Sequence, residues 1–377
     1  MALSFMEGNE AVARGAIAAG CSFFAGYPIT PASTIFSNML TMLPPNGGIC
    51  IQGEDEIASM GYCIGASMAG RKVLTATSGP GISLYSEQIS FAIGSEIPMV
   101  IVDVQRLGPS TGSATRGADG DIQFLRWSNT GGLPVVVLAP KDALDCYALT
   151  AHAFNFAEEL RCPVFIASNK EIGMTRESVD LDSVELPPIV ERKYSEIGKD
   201  EINHKYLPFE ADKDSVPDFL PIGCKTLVRQ TSSTHGADGY ITIDPNVIGE
   251  SQERLINKIL NAEERLTLYE ENHRQGADTL VISYGVTSRA VEDACKTLSK
   301  NGKAVSTLTL KTLFPVPQKL IREKSEQYQH IVVIEMNMGQ YVENITRLLP
   351  EKKIVFYGQM NGVLITPAKI MEVIQNG

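Results

Sequence analysis

The stretch "KVLTATSGPGISLYSEQISFAI", Lys72–Ile93, decides the fold class. Its first part, Val73–Thr77, is apolar or β-branched on both faces, as a strand covered from both sides must be. Ser78-Gly79-Pro80-Gly81 follows, a tight turn with open access to backbone groups, and a helical pattern begins behind it. The turn matches neither GxGxxG nor GxxxxGK[ST], which disfavours a dinucleotide site or a P-loop.

The same alternation extends outward from this unit. "CSFFAGYP", "GICIQ", "MVIVDVQ", "LPVVVLAP" and "CPVFIAS" read as further strands between Gly8 and about Ser168, with helical patterns such as "PASTIFSNMLTML" between them. This predicts an α/β fold with a doubly wound parallel sheet. From Asp278 the alternation resumes in "TLVISYG", "AVSTLTL", "HIVVIEMN" and "KIVFYG", a second and smaller α/β domain. Between the two, roughly Ile172–Pro221 is rich in charge and proline and reads as a linker or an embracing arm. A mixed segment and a long polar helix, about Ser251–His273, complete the connection.

Bulk properties exclude several classes. The 377 residues carry a formal net charge of −11 and no long Lys/Arg run, so binding nucleic acid through its phosphates is disfavoured. No signal-peptide pattern and no bilayer-length apolar run is present, which places the chain in the cytoplasm and off the membrane. The 7 cysteines are odd in number and show no CxxC spacing, and no HExxH occurs, so no metal or iron–sulfur site is expected in this chain.

Ligands of an open parallel sheet bind beyond the carboxyl ends of its strands, where four loops stand out. "AGYPITPAS", Ala25–Ser33, reads either as a helix start, with Thr30 as cap and Pro31 in the first turn, or as a ligand contact. In "IQGEDEIASMGYCIGASMAG", Glu54, Asp55 and Glu56 open a helix whose Gly61, Gly65 and Ala69 form a row of small residues. Such a row suits a closely packed partner, and a carboxylate at that interface can share a proton with a ligand nitrogen. The third loop is Ser78–Gly81. In the fourth, Arg106 directly follows a strand and suits a carboxylate, which it can grip with paired hydrogen bonds. The loop behind it holds Ser110, Thr111 and Arg116, then a "GADGD" run whose acidic spacing does not fit a metal–diphosphate signature.

In order, "GYPITPAS", "GEDEIASMGYCIGAS", "TATSGPGISLYSE" and "VQRLGPSTG", with "KTLFPVP" and "IEMNMGQ" downstream, resemble the alpha subunit of 2-oxoacid:ferredoxin oxidoreductases, most closely the 2-oxoglutarate synthase type. The resemblance implies a thiamine-diphosphate pyrimidine-binding domain over 1–170, a connecting arm over 171–276 and a transketolase C-terminal-like domain over 277–377. It implies a proton-relay carboxylate at Glu56, with Glu54 as the rival register. Thr30 would reach the substrate and thiazolium, and Arg106 the substrate carboxylate. Tyr27, Pro28, Ile29, Ser78, Gly79, Pro80 and Gly81 would line the cofactor, and Ser110, Thr111 and Arg116 the substrate. The implied partners are coenzyme A, ferredoxin and a beta subunit in an (αβ)2 assembly. That subunit would hold the diphosphate, Mg2+ and a [4Fe-4S] cluster, and any gamma-type subunit would be separate. Pyruvate or branched-chain or aryl 2-oxoacids remain alternative substrates. A non-catalytic assembly subunit and a thiamine-independent small-ligand transferase remain alternative functions.

Overall fold

The computed structural model describes residues 3–198, 200–203 and 205–377. Its strands are β1 (Ser4–Glu7), β2 (Phe23–Gly26), β3 (Ile49–Gln52), β4 (Val73–Thr77), β5 (Met99–Gln105), β6 (Val136–Leu138), β7 (Pro163–Asn169) and β8 (Arg176–Val179). After the arm follow β9 (Tyr269–Asn272), β10 (Thr279–Tyr284), β11 (Ser306–Leu310), β12 (Thr312–Phe314), β13 (His330–Glu335) and β14 (Lys353–Gly358).

The apolar runs of the first half assemble with β12 into a seven-stranded sheet of order β12-β6-β7-β5-β4-β2-β3. Its pairs are parallel except β12 with β6. Alternate residues feed two cores. Phe24, Leu74, Val100 and Ile166 pack on one face, and Phe23, Val73, Ile101 and Phe165 on the other. A strand covered on both faces has no polar side, hence the unbroken apolar runs of β4, β5 and β7, which are buried at every position. β3 departs from that expectation. It is the edge strand, and Ile49 and Ile51 are 45% and 36% exposed.

The chain steps from β2 out to β3 and then back across to β4. At such a reversal the loops after β2 and β4 leave toward opposite faces and open a crevice at the carboxyl ends of the strands. The sheet order therefore puts Tyr27–Pro31 and Ser78–Gly81 on either side of one crevice.

The second sheet has order β14-β13-β10-β11-β9, parallel apart from β9. Here the single polar helix expected over Ser251–His273 is corrected. The helix runs Pro245–Leu260, with Asp244 capping its first turn by accepting from the Asn246 N–H, and Tyr269–Asn272 becomes an edge strand on β11. "KTLFPVP" also differs from a second-domain element: its strand, β12, crosses to the edge of the first sheet.

The arm has little regular structure beyond β8, which pairs with β1, yet it is tightly anchored. Arg192 is 3% exposed and forks onto Glu158 at 2.6 and 2.9 Å, while also donating to the Ser67 and Arg71 carbonyls. A buried guanidinium needs this full set of acceptors, so one side chain straps the segment to the first sheet's helices. Among the described residues no helix is long and apolar enough to cross a membrane.

Candidate active site

The turn after β2 is held from beneath. Asn9, fully buried in the helix Gly8–Ala18, donates through Nδ2 to the Pro31 carbonyl and the Thr34 hydroxyl, both at 2.8 Å. Arg106, 6% exposed at the end of β5, donates through Nη1 to the Thr30 carbonyl. The helix-start account of Thr30 is corrected: the helix is Ser33–Met42, its cap position is Ala32, and no side chain caps it. Two long-range donors fix this turn instead of a local cap, which leaves the Thr30 hydroxyl without a hydrogen bond among the described residues. Tyr27 and Pro28 are exposed and Ile29 is half-buried.

Glu56 begins the helix Glu56–Met68, immediately after Asp55, whose carboxylate caps the helix by accepting from the Ala58 N–H at 2.7 Å. The cap, with the macrodipole behind it, explains the acidic opening of this helix. Glu56 turns inward and is 8% exposed, while Glu54 and Asp55 stay nearer solvent. The Glu56 side chain lies against Gly81, where an added Cβ would come within 2.7 Å of its Cγ and 3.0 Å of its Oε1. The Ser-Gly-Pro-Gly turn opens the helix Gly79–Leu84, so its glycines supply close approach at the crevice. Ser78 is fully buried with no partner for its hydroxyl.

Across the turn, a Cβ at Gly79 would lie 3.2 Å from Oδ2 of Asp121. Asp121 and Arg106 line one cavity of about 340 Å³ with Gly79, Ser110 and Met360. Burial works against the Arg106 charge and the Asp121 carboxylate favours it. Arg106 thus bonds to the Thr30 carbonyl and shares its cavity with Asp121 and Gly79, while Gly81, in the same turn as Gly79, lies against Glu56. The structure brings these loops together. Thr111 and Arg116 stand apart from that cavity, both exposed, with Arg116 packed beside Gly362. Two larger clefts, of about 430 and 600 Å³, flank Trp127 and contain none of Thr30, Glu56 or Arg106.

The "GADGD" loop that carries Asp121 is held by "IEMNMGQ". Asn337 Nδ2 donates to the Asp119 carbonyl at 2.9 Å, the Asp119 N–H donates to the Met336 carbonyl, and Gln340 reaches the Gly120 carbonyl. Glu335 in turn accepts from Tyr284 and from the backbone N–H groups of Tyr341 and Val342. Burial lifts the Asp119 carboxyl to about 7, partly offset by the Asn169 amide 2.8 Å away. The sequence reading passed over Asn9 and Asp103, and weighed the "GADGD" run that holds Asp121 only as a metal–diphosphate signature that does not fit. Asp103 carried a usable signal, since it interrupts the apolar strand "MVIVDVQ" where an unpaired charge is costly.

Comparison with known proteins bears on this arrangement. Residues 14–250 match the family described as pyruvate flavodoxin/ferredoxin oxidoreductase, thiamine diphosphate-binding, and residues 277–370 match pyruvate:ferredoxin oxidoreductase core domain II. The chain belongs to the alpha subunits of the 2-oxoacid:ferredoxin oxidoreductase family. Among members of this oxidoreductase family, it is 38% identical to the 2-oxoglutarate synthase subunit KorA of Methanocaldococcus jannaschii, over 98% of this chain and 98% of that protein. It is 31% identical to the ketoisovalerate oxidoreductase subunit VorB of Methanothermobacter thermautotrophicus, over 100% of this chain and 98% of that protein. A solved 2-oxoglutarate:ferredoxin oxidoreductase from Magnetococcus marinus, with 2-oxoglutarate, coenzyme A and succinyl-CoA bound, superposes with a TM-score of 0.90 at 29% identity. That match covers 99% of this chain and 65% of the Magnetococcus chain. The family's thiamine-diphosphate-binding domain therefore contains all four loops of the crevice.

Proposed function

We propose that this chain binds the pyrimidine half of thiamine diphosphate and, with a beta subunit, converts 2-oxoglutarate and coenzyme A to succinyl-CoA and CO2 while reducing ferredoxin, or runs the reverse reaction. The carrying observation is Glu56, a nearly buried carboxylate at the start of its helix, packed against Gly81 so closely that an added Cβ there would meet its Cγ at 2.7 Å. When bound, thiamine diphosphate supplies the carbanion that attacks the 2-oxoacid carbonyl and stabilises the charge left by departing CO2. Glu56 would share a proton with N1′ of the aminopyrimidine and so favour the basic tautomer of its 4′-nitrogen. Arg106 would hold the substrate's carboxylate, and the Thr30 hydroxyl, uncommitted to a cap, would face the reacting carbon.

The face around Glu56 supports the partner. Tyr27, Ile57, Tyr62 and Leu84 are 38%, 48%, 47% and 48% exposed there, and a Cβ at Gly65 would meet nothing within 4 Å. This apolar face with an open helix surface suits a beta subunit carrying the diphosphate site, Mg2+ and a [4Fe-4S] cluster. Kinship to KorA subunits supports 2-oxoglutarate as substrate; the VorB relative keeps a branched-chain 2-oxoacid as the second reading. The test is reconstitution with the beta partner and a 2-oxoacid panel. Glu56→Gln is expected to lower dye reduction by orders of magnitude and to weaken thiamine diphosphate binding in calorimetry. Unchanged activity in that variant, or no cofactor binding by the wild-type complex, would refute the assignment.

A further inference from the structure

The cavity that holds Arg106 draws its wall from two distant parts of the chain. Gly79, Ser110 and Phe124 line it from the first sheet's side, and Met360 alone comes from the loop behind β14, at the edge of the second sheet. That loop is held stiffly. The Gln359 N–H donates to the Glu335 carbonyl at 3.1 Å, and the Gln359 side chain spans from the Tyr357 hydroxyl at 2.9 Å to the Val363 carbonyl at 2.8 Å. Asn361 Oδ1 accepts from the Val363 N–H at 3.1 Å. Gly362, left-handed at φ 76°, packs on Arg116 and so ties the loop to the one behind Arg106.

Met360 is half-buried, yet among the described residues it joins neither hydrophobic core. Phe124, the other large apolar side chain in the lining, packs against the second of those cores. The thioether end of Met360 lies over Gly120, where an added Cβ would sit 3.1 Å from its Cε and 3.7 Å from its Sδ. A stiff loop therefore carries one unbranched, adaptable side chain to a place where a glycine leaves room for it, with the cavity beside it.

We propose that Met360 sets the upper limit on the size of the 2-oxoacid side chain that this cavity accepts. The proposal rests on the reading that Arg106 takes the substrate's carboxylate here. Arg106 is the one basic residue in the lining among the described residues, so a substrate anchored on it projects its remaining chain toward walls that sort by bulk rather than by charge. The cavity, at about 340 Å³, lies near the lower end of the range of about 300–1,000 Å³ for small-molecule sites, and the bulk of one side chain decides what fits. Phe124 is fixed by the core behind it. Met360 has no core behind it, so shortening it enlarges the cavity without opening a hole elsewhere.

The test uses the complex reconstituted with its beta subunit, comparing kcat/KM for pyruvate, 2-oxoglutarate and phenylpyruvate in wild type, Met360→Ala, Met360→Phe and Arg106→Ala. The ratio between two substrates on one preparation does not depend on how much of it is folded, so a less stable variant still gives an answer. Met360→Ala is expected to raise the ratio of phenylpyruvate to pyruvate by about tenfold or more, the scale on which an apolar pocket distinguishes small changes in bulk. Met360→Phe is expected to lower the ratio of 2-oxoglutarate to pyruvate by a similar factor. Calorimetry of phenylpyruvate with the complex lacking thiamine diphosphate makes the same comparison without turnover, and Met360→Ala should bind it about tenfold more tightly. Ratios and affinities that stay within about twofold of wild type in both Met360 variants overturn the size limit. In that event a KM for 2-oxoglutarate raised about tenfold or more in Arg106→Ala leaves the substrate reading intact, and an unchanged KM overturns both.

Discussion

Gly81→Ala tests whether the crevice works by placing Glu56. The backbone at this position is not left-handed, so alanine is conformationally acceptable, and removing a helical glycine gains up to about 1 kcal/mol. Against that, the new Cβ would sit 2.0 Å from Thr77 Oγ1 and 2.7 Å from Glu56 Cγ, where ordinary contact begins near 3.4 Å. Thr77 is β-branched and fully buried on β4, so it cannot swing away, and Glu56 must yield by something near 1 Å. Overpacking of this kind costs about 1–3 kcal/mol, which outweighs the helical gain and leaves a net loss of roughly 1–2 kcal/mol. For a domain of this size the melting temperature should fall by about 2–8 °C. Activity should fall further, by roughly a hundredfold, because an ångström of displacement at a reacting carboxylate costs on that order. Differential scanning fluorimetry and dye reduction with saturating beta subunit and cofactor measure the two effects separately. The double variant Thr77→Ala/Gly81→Ala removes the closest clash but not the one with Glu56. It should regain melting temperature without regaining activity. Activity that returns together with stability would mean that the loss was one of folding, and the positioning role of the glycine would be wrong.

Two further substitutions have outcomes set by the same structure. Gly65→Leu projects from the open helix face into space where no atom lies within 4 Å, so the isolated chain should melt within a few degrees of wild type while size-exclusion chromatography shows weakened assembly with the beta subunit. Glu96, fully buried, is gripped by Lys258 at 2.7 Å and Arg254 at 2.6 Å, and Lys258→Met should cost on the order of 3–5 kcal/mol because it leaves a buried carboxylate half-paired. Burial opposes the Glu96 charge, but those cations hold it down at about 2, below its ordinary 4.5, so its contribution is complete above about pH 4.5 and is lost as pH falls toward 2. Denaturant titrations at several pH values should show the loss in Lys258→Met from pH 5 to 8 and a shallower acid limb than wild type; a constant difference down to the lowest pH would contradict the linkage.

What could be read ahead of the structure was what repeats locally. Unbroken apolar runs reported strands covered on both faces, and the loops bearing Thr30, Glu56, Gly79–Gly81 and Arg106 could be named because each adjoins such a run. The exceptions have physical causes. β3 is an edge strand, and edge position depends on sheet order, which no local period carries. Thr30 looked like a cap because threonine followed by proline is a good local start. The helix begins later because Asn9 and Arg106, far away in sequence, hold the turn carbonyls.

Local chemistry in the sequence therefore sufficed for the doubly wound fold and for naming the loops that leave the carboxyl ends of its strands, since hydrophobic period and turn chemistry act over a few residues, whereas the choice of Glu56 over Glu54 came from the family resemblance. Tertiary structure alone decided that "KTLFPVP" adds a strand to the first sheet and that "IEMNMGQ" grips the "GADGD" loop. Those contacts form only once the order of the strands is fixed and chain segments distant in sequence cross, and their energies come from burial and charge in a shared interior rather than from any residue's neighbours along the chain.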